Sequence, residues 1–384
     1  MAAYLAFKEV WRNRGRFFLF SMVISLITTL VLFTAALSEG LALANKEYLE
    51  KLDAALLVFQ ENVDLSPSTS RLDLDKVNDI RRVAGVEEVG PLGFSSGSIV
   101  FPDGREDLNV SLIGVEAGKP GLPPVEEGET LLIDRGAEVV IDDNVAQRSG
   151  IKVGDVITLK TIQGSKEELY KLSVVGRTSG QQYLFAPSIF LPYRTWETVK
   201  PGSATNQGLV STTSNVMAVK SSPGEDPELL KQRLVAQVPG IEVSDIETAY
   251  KNLPGYAAQQ STLNTQNAFT LLIGILVIGG FFQIQMLQKV PQIGVLKAIG
   301  ASNVIVATAV VFQIMLVTTF GVAIGAVVSL GLGAAIPGGV PVVFSGPAVA
   351  TAILTLLAIG PIGGLVSVRL AVRTEPLIAL GLSQ

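Results

Sequence analysis

Hydrophobic and polar positions divide this chain into long charge-free runs and one central stretch of mixed character. Phe17 to Ser38 reads FFLFSMVISLITTLVLFTAALS and carries no charge. As a helix it spans about 33 Å at about 1.5 Å per residue, enough for a bilayer core. A second apolar run goes from Ala268 to Leu287. The longest charge-free stretch, Ala298 to Val368, exceeds one span. It breaks at Ile336-Pro337-Gly338-Gly339-Val340-Pro341 and again near Gly346-Pro347. The pattern predicts a membrane protein: four transmembrane α-helices, with a large extracytoplasmic α/β domain inserted between helices 1 and 2.

The expected boundaries follow. Residues 1–16 form an amphipathic helix on the inner leaflet, with Tyr4, Phe7 and Trp11 on one side and Lys8, Glu9 and Arg12 on the other. The first span is 17–38, and 39–267 holds a stalk and the inserted domain. The second span is 268–287, followed by a short cytosolic helix at 288–303. The third span is 304–332, an external turn takes 333–346, the fourth span is 347–370, and 371–384 is a cytosolic tail. The first apolar run is longer than the 7–15 residues usual in a signal peptide, so it reads as an uncleaved anchor.

Orientation follows the basic residues. Lys8, Arg12, Arg14, Arg16, Lys289, Lys297, Arg369 and Arg373 lie in the start, the middle link and the tail, against Glu9 and Glu375 alone. The central segment holds the other 21 basic and 32 acidic residues. The expectation is a bacterial cytoplasmic membrane protein with both termini in the cytosol and the large domain outside.

Within the central segment the helical stripe of the first span continues through Leu41, Tyr48, Leu49 and Leu52. Before the second span, the chain is free of helix breakers after Pro254-Gly255. Two pieces echo each other. Ala55–Phe59 reads as a strand, Leu74–Val83 as a helix, then a turn at Gly85. Asn215–Lys220 reads as a strand, Pro227–Val238 as a helix, then a turn at Gly240, with Asp226 as N-cap and Pro227 at the first helical position. The two units predict one subdomain assembled from both ends of the segment, with a strand-rich insert between them. In that insert Ile151, Val153, Val156, Ile157 and Leu159 alternate as in a strand.

Composition narrows the chemistry. Hydrophobic residues make up 48% and charged residues 16%, and mean hydropathy is +0.45. There is no cysteine and no histidine. Disulfides, thiolate metal sites, imidazole zinc sites and Ser-His-Asp catalysis are excluded. The phosphate-binding pattern GxxxxGK[ST] is absent, so ATP hydrolysis is not expected of this chain. Asp142 and Asp143 are adjacent and read as a turn or a helix N-cap, not a catalytic pair. No catalytic residue, no metal ligand and no nucleic-acid surface is expected. Gly321-xxx-Gly325 and Gly360-xxx-Gly364 are helix-packing patterns, which fit a dimer of such chains and are also frequent in any membrane bundle.

The link at 288–302 reads QKVPQIGVLKAIGAS, with Ile293, Leu296 and Ile299 near one face, Gly300 able to close the helix and Ser302 able to cap the next. IGVLKAIGAS resembles the hallmark of FtsX-like permeases, the membrane subunits of MacB-type ABC systems. The resemblance extends over nearly the whole chain, including DDNVAQRSGIKVGDVITL in the inserted domain and AVRTEPLIALG in the tail. SEGLALANKEYLEKLDAALLVF, with Ser70-Arg71-Leu72, is similar to the HrtB/DevC-like branch of short exporters. This chain departs from the family in having Pro291 and Gln292 where charged residues usually precede Ile-Gly.

The resemblance implies a permease that takes ATP and Mg through a separate ABC ATP-binding subunit and binds no cofactor itself. Ile293, Gly294, Leu296, Lys297, Ile299 and Gly300 would contact that subunit. A second copy of the chain, membrane lipids and an adaptor protein are the other expected partners. The expected work is mechanotransmission and efflux of a hydrophobic or amphipathic cargo, such as haem, a lipid-like molecule or an antimicrobial compound. For haem, Glu39 and Tyr48 are the candidate oxygen ligands. The alternative is a signalling subunit that activates an extracytoplasmic partner and transports nothing. A membrane-anchored enzyme is the third reading, weakened by the missing histidine and cysteine.

Overall fold

The computed structural model describes residues 14–202, 213–336 and 341–373. The expected inner-leaflet helix therefore lies outside the described residues except for Arg14–Arg16, which open the first helix. Most of the tail lies outside them too.

In chain order the elements are α1 (Arg14–Glu50), β1 (Leu56–Gln60), β2 (Leu72–Asp73), α2 (Lys76–Arg81), β3 (Val86–Val100), β4 (Leu108–Val115) and β5 (Glu127–Gly128). Then come β6 (Glu138–Asp142), α3 (Asp143–Ser149), β7 (Val156–Gln163), β8 (Lys166–Thr178), β9 (Ser188–Pro192) and α4 (Tyr193–Val199). They are followed by β10 (Thr213–Ser214), β11 (Val216–Ser221), α5 (Pro227–Gln237), β12 (Ile241–Asp245) and α6 (Ile246–Lys251). The chain closes with α7 (Tyr256–Ala298), α8 (Asn303–Ala335) and α9 (Gly346–Arg373). Two compact units result: a membrane unit (Met1–Gly40 with Gln260–Gln384) and an inserted domain (Leu41–Gln259).

Among the described residues, the inserted domain holds a ten-stranded mixed sheet in the order β12-β1-β11-β3-β4-β9-β6-β8-β5, with β7 joined to β3 and β8, and a separate two-stranded sheet of β10 and β2. The echo in the sequence is real structure. Strands β1 and β3 of the first piece interleave with β11 and β12 of the second, all antiparallel. Alternation along β1 explains why both faces of the sheet are covered. Leu56 and Val58 join Ile80 of α2 and Leu230 and Leu234 of α5 in one core. Leu57 and Phe59 join Tyr48, Leu49 and Leu52 in another. Asp226 caps α5 by accepting from the Glu228 N–H at 2.9 Å, with Pro227 at the first helical position.

Strand β3 bridges the two halves, pairing with β11 through its first part and with β4 through its second. Gly93 and Gly114 face each other across β3 and β4, and Trp196 of α4 lies over both. A Cβ on Gly114 would meet the indole at 2.6 Å, so only glycine leaves room for the ring. The strand expected from Ile151 begins only at Val156. Residues 151–155 form a turn in which Lys152 N–H donates to Asp155 Oδ2 at 2.8 Å. An aspartate whose carboxylate accepts from a nearby backbone N–H in this way favours a turn over a ladder.

Among the described residues, the membrane unit holds four helices long and apolar enough to cross a membrane. Its core joins Phe17, Ile24 and Val31 of α1 to Phe282 and Ile293 of α7, Ile314 and Val317 of α8 and Ile359 of α9. Helices approach one another where side chains are small. Gly321 and Gly325 of α8 lie against Ile24 and Thr28 of α1. Gly360 and Gly364 of α9 lie against Thr318 and Ile314 of α8, and Gly363 meets Gly279 of α7. Both glycine patterns thus serve helix packing within one chain, as such patterns do in any membrane bundle.

A correction concerns 288–303. The link is not a separate helix, because α7 runs unbroken past Leu287 and Pro291 to Ala298. The expected break rested on a change from apolar to basic side chains, which does not interrupt the backbone bonds of a helix.

Candidate functional site

The end of α7 and the start of α8 make one tight, fully bonded turn. Gly300 has φ +104°, a left-handed conformation suited to glycine. Its N–H donates to Lys297 O at 2.9 Å, and Ala301 N–H donates to Leu296 O at 3.1 Å. This pair of bonds is the Schellman closure of a helix. Two residues on, Ser302 Oγ accepts from Ile305 N–H at 3.4 Å and starts α8. Local sequence therefore fixes the direction in which the turn presents its side chains.

The six residues expected to contact an ATP-binding subunit do not share one face. Leu296, Ile299 and Gly300 are exposed, Ile299 to 81%. Ile293 is 9% exposed and packs in the membrane-unit core, and Gly294 is buried beside it. Lys297 Nζ donates to the Val372 carbonyl of α9 at 2.6 Å. Ile293 and Gly294 therefore face the core of the membrane unit, while Leu296 and Ile299 face outward. Sequence reasoning missed Val295 of α7 and Val304 and Ile305 of α8, which are exposed around the same turn. The signal was available: Val295 and Ile299 are four apart and share a helical face. Together these side chains form an apolar knob. The same end of the unit carries Arg16, whose guanidinium donates to Gln288 Oε1, and Lys289, which donates to Gln313 Oε1 at 3.2 Å.

Glu39 and Tyr48 are not brought together. Both are on α1, but nine residues apart they lie about 13 Å apart along the axis and on opposite faces. Glu39 is half-buried. Its neighbour Gly40 lies so close to Pro341 that a Cβ would sit 1.9 Å from the proline carbonyl oxygen. Tyr48 is only 1% exposed, and its hydroxyl donates to Gly121 O at 2.9 Å. Its ring lies among Phe94, Tyr183 and Phe190. The expectation that Tyr48 meets cargo is therefore corrected: the hydroxyl is partnered and the ring is core.

Asp142 occupies the N-cap position of α3, as expected, but its carboxylate does not cap the helix. It accepts from Asn144 Nδ2 at 2.8 Å and from Gln181 N–H at 3.2 Å, and burial pushes its pKa up. It holds a loop in place. Burial and the Asp134 carboxyl also raise Glu116. Among the described residues, no group of three or more Asp or Glu side chains is arranged to hold a metal ion.

Residues 17–237 match the MacB-like periplasmic core domain, and residues 266–376 match the FtsX-like permease C-terminal domain. This chain belongs to the MacB-type family of FtsX-like permeases. A relative from Staphylococcus haemolyticus bears the name hemin transport system permease protein HrtB. It is 28% identical over 377 residues, 98% of this chain and 99% of its own. A namesake from Staphylococcus epidermidis is 23% identical over 379 residues, with the same coverage. Among solved structures, the periplasmic region of MacB from Actinobacillus actinomycetemcomitans is 17% identical, covers 53% of this chain and 94% of its own, and has a TM-score of 0.37. The extracellular domain of the noncanonical ABC-type transporter YknZ from Gram-positive bacteria is 13% identical, covers 50% of this chain and all of its own, and has a TM-score of 0.36. As a FtsX-like permease, the chain is a multi-pass membrane subunit of an ABC transporter with an extracellular domain, and an ATP-binding subunit is its partner.

Proposed function

We propose that the chain is the membrane half of an exporter that turns ATP hydrolysis on the partner subunit into movement of its inserted domain. The carrying observation is the apolar knob of Val295, Leu296, Ile299, Val304 and Ile305 around a glycine-closed turn. Exposed apolar side chains grouped on a rigid element fit a protein docking surface. The basic residues Arg16, Lys289, Lys297 and Arg369 at that end put it in the cytosol by the positive-inside rule, with both termini there. The membrane is then the bacterial cytoplasmic one.

Two helices carry the motion. α1 is continuous from Arg14 to Glu50, and α7 from Tyr256 to Ala298. A continuous helix transmits displacement along its axis because its turns are joined by a ladder of backbone bonds. A pore is a poorer fit, since the stretch from Ala298 to Val368 has no charged side chain to line one.

The cargo class is hydrophobic or amphipathic, and the names of the relatives make haem the first candidate to assay. Of the two expected haem ligands, Glu39 remains available. The test is co-purification with an ATP-binding subunit from the same cell, followed by ATPase assays with hemin and with lipophilic compounds. Stimulation by one compound supports export. A stable complex that no compound stimulates supports signalling instead.

A further inference from the structure

The N–H of Tyr48 and the carbonyl of Ala44 are the two groups that bond each other across one turn of a regular α-helix. In α1 each has a partner in the loop at 180–186. Tyr48 N–H donates to Gln182 O at 3.2 Å, and Phe185 N–H donates to Ala44 O at 3.1 Å. Ala44 and Tyr48 are both buried, and they and the loop belong to the inserted domain. The loop thus offers one rung of the helix a second set of partners.

The loop is braced from behind. Gln181 N–H donates to Asp142 Oδ1 at 3.2 Å, Ser111 Oγ donates to Tyr183 O at 2.8 Å, and Ala186 N–H donates to Tyr183 O at 3.2 Å. The Tyr183 ring stacks on Phe94, with centroids 4.6 Å apart. Between these braces Leu184 and Phe185 have left-handed backbones, φ +48° and +62°. That region is unfavourable for any residue with a Cβ, so two bulky residues in succession there are held by their surroundings. Both side chains are exposed, which leaves the backbone bonds to α1 as the main restraint.

We propose that the loop at 181–186 is a latch on α1. In the latched state, the one in this structure, the loop bonds Ala44 and Tyr48. In the released state α1 closes its own rung. Release leaves neither helix group without a partner, which removes the usual penalty for breaking an interior hydrogen bond. The Phe185 N–H and the Gln182 carbonyl pass to water, and Leu184 and Phe185 leave the left-handed region. Two packings that differ this little are what a switching element requires. The latch rests on the inserted domain alone, and it stands or falls apart from cargo and ATP.

The test is hydrogen–deuterium exchange on the full-length protein in nanodiscs, resolved to single amides by electron-transfer fragmentation. The Phe185 amide should exchange faster than those of Leu112 and Ile113, which lie in the buried strand β4. The Tyr48 amide should stay as slow as the β4 amides, because it passes from Gln182 to Ala44. Leu184→Gly suits the left-handed backbone and should slow exchange at 185 about fivefold. Leu184→Val, branched at Cβ, and Ser111→Ala, which removes a brace, should speed it. Unchanged exchange at Leu112 and Ile113 checks that each variant is folded, and the comparison of 48 with 185 in the parent needs no variant. Exchange at 48 as fast as at 185 would overturn the proposal, because the rung would not have re-formed. Exchange at 185 as slow as in β4 would also overturn it, because the loop would open only with the whole domain. So would faster exchange at 185 in Leu184→Gly, the behaviour of a loop merely loosened by glycine.

Discussion

The hydroxyl of Tyr48 on α1 donates a 2.9 Å hydrogen bond to the carbonyl of Gly121, and both groups are buried in the inserted domain. This bond ties the outer end of α1 into a core of Leu57, Phe59, Ile113 and Phe190. Tyr48→Phe keeps the ring and leaves the Gly121 carbonyl without this donor. The expected cost is about 1–3 kcal/mol. Thermal melts of the detergent-solubilised protein should record a lower midpoint. Hemin binding should be unchanged, and a loss of it would return Tyr48 to the cargo site.

Gly321 packs on Ile24 with no space for a side chain, since an added Cβ would lie 2.6 Å from Ile24 Cγ2 and 3.0 Å from the Ser21 carbonyl oxygen. Gly321→Val forces α8 away from α1. Overpacking of this kind costs about 1–3 kcal/mol. Loss of the melting transition's sharpness or midpoint, with the monomer itself affected, is the expected reading. A change confined to dimer content would show instead that the glycines face a second copy.

Position 293 points inward and positions 296 and 299 outward, so one type of substitution should give two outcomes. Ile293→Glu buries an unpaired carboxylate in an apolar core and should destabilise the membrane unit. Leu296→Glu and Ile299→Glu place the charge in solvent and should leave the melting midpoint within about 0.5 kcal/mol of the parent. Both outward variants should nevertheless lose the ATP-binding subunit in pull-down.

The carboxylate of Glu88 is partly buried, which works to raise its pKa, but Lys119 at 2.7 Å, the Val89 N–H at 3.0 Å and Arg81 together hold it below the usual range. A carboxylate depressed in the folded state adds stability above its unfolded value near 4.5 and loses it as pH falls toward the folded value. The gain is modest, about 0.2–1 kcal/mol for such pairs. Asp142, raised by burial, has the opposite sign: its contribution is fully present below about 3.8 and lost as pH rises through its folded pKa. Melting midpoints of Glu88→Gln against the parent should converge as pH falls below 4.5. A gap that stays constant with pH would remove the ion pairs from the account.

How much of this could be read in the sequence varies with the environment of each residue. Leu56 to Phe59 alternate between two cores, and the repeat of strand, helix and glycine turn was legible because the domain has polar surroundings to contrast with. In the charge-free stretch no such contrast exists. Lipid and helix core are both apolar, so nothing in the sequence told that Gly321 meets Ile24 or that Gly360 meets Thr318. The change from apolar to basic side chains after Leu287 suggested a separate helix at 288–303, where one helix continues to Ala298. The burial of Tyr48 depends on Gly121, Phe94 and Phe190, distant in sequence and joined only by the sheet. The same holds for the loop at Leu184, whose backbone is set by Ala44 and Asp142.

The central claim is that ATP hydrolysed on a partner is coupled through the knob beside Gly300 to cargo efflux. The most direct measurement is the ATPase rate of the complex in nanodiscs, with and without hemin and lipophilic compounds, for the parent and for Leu296→Glu added at matched concentration. The account predicts a rate raised by at least one compound in the parent, and no stimulation with Leu296→Glu although that variant is folded. An ATPase rate indifferent to every compound and to Leu296→Glu alike would contradict it.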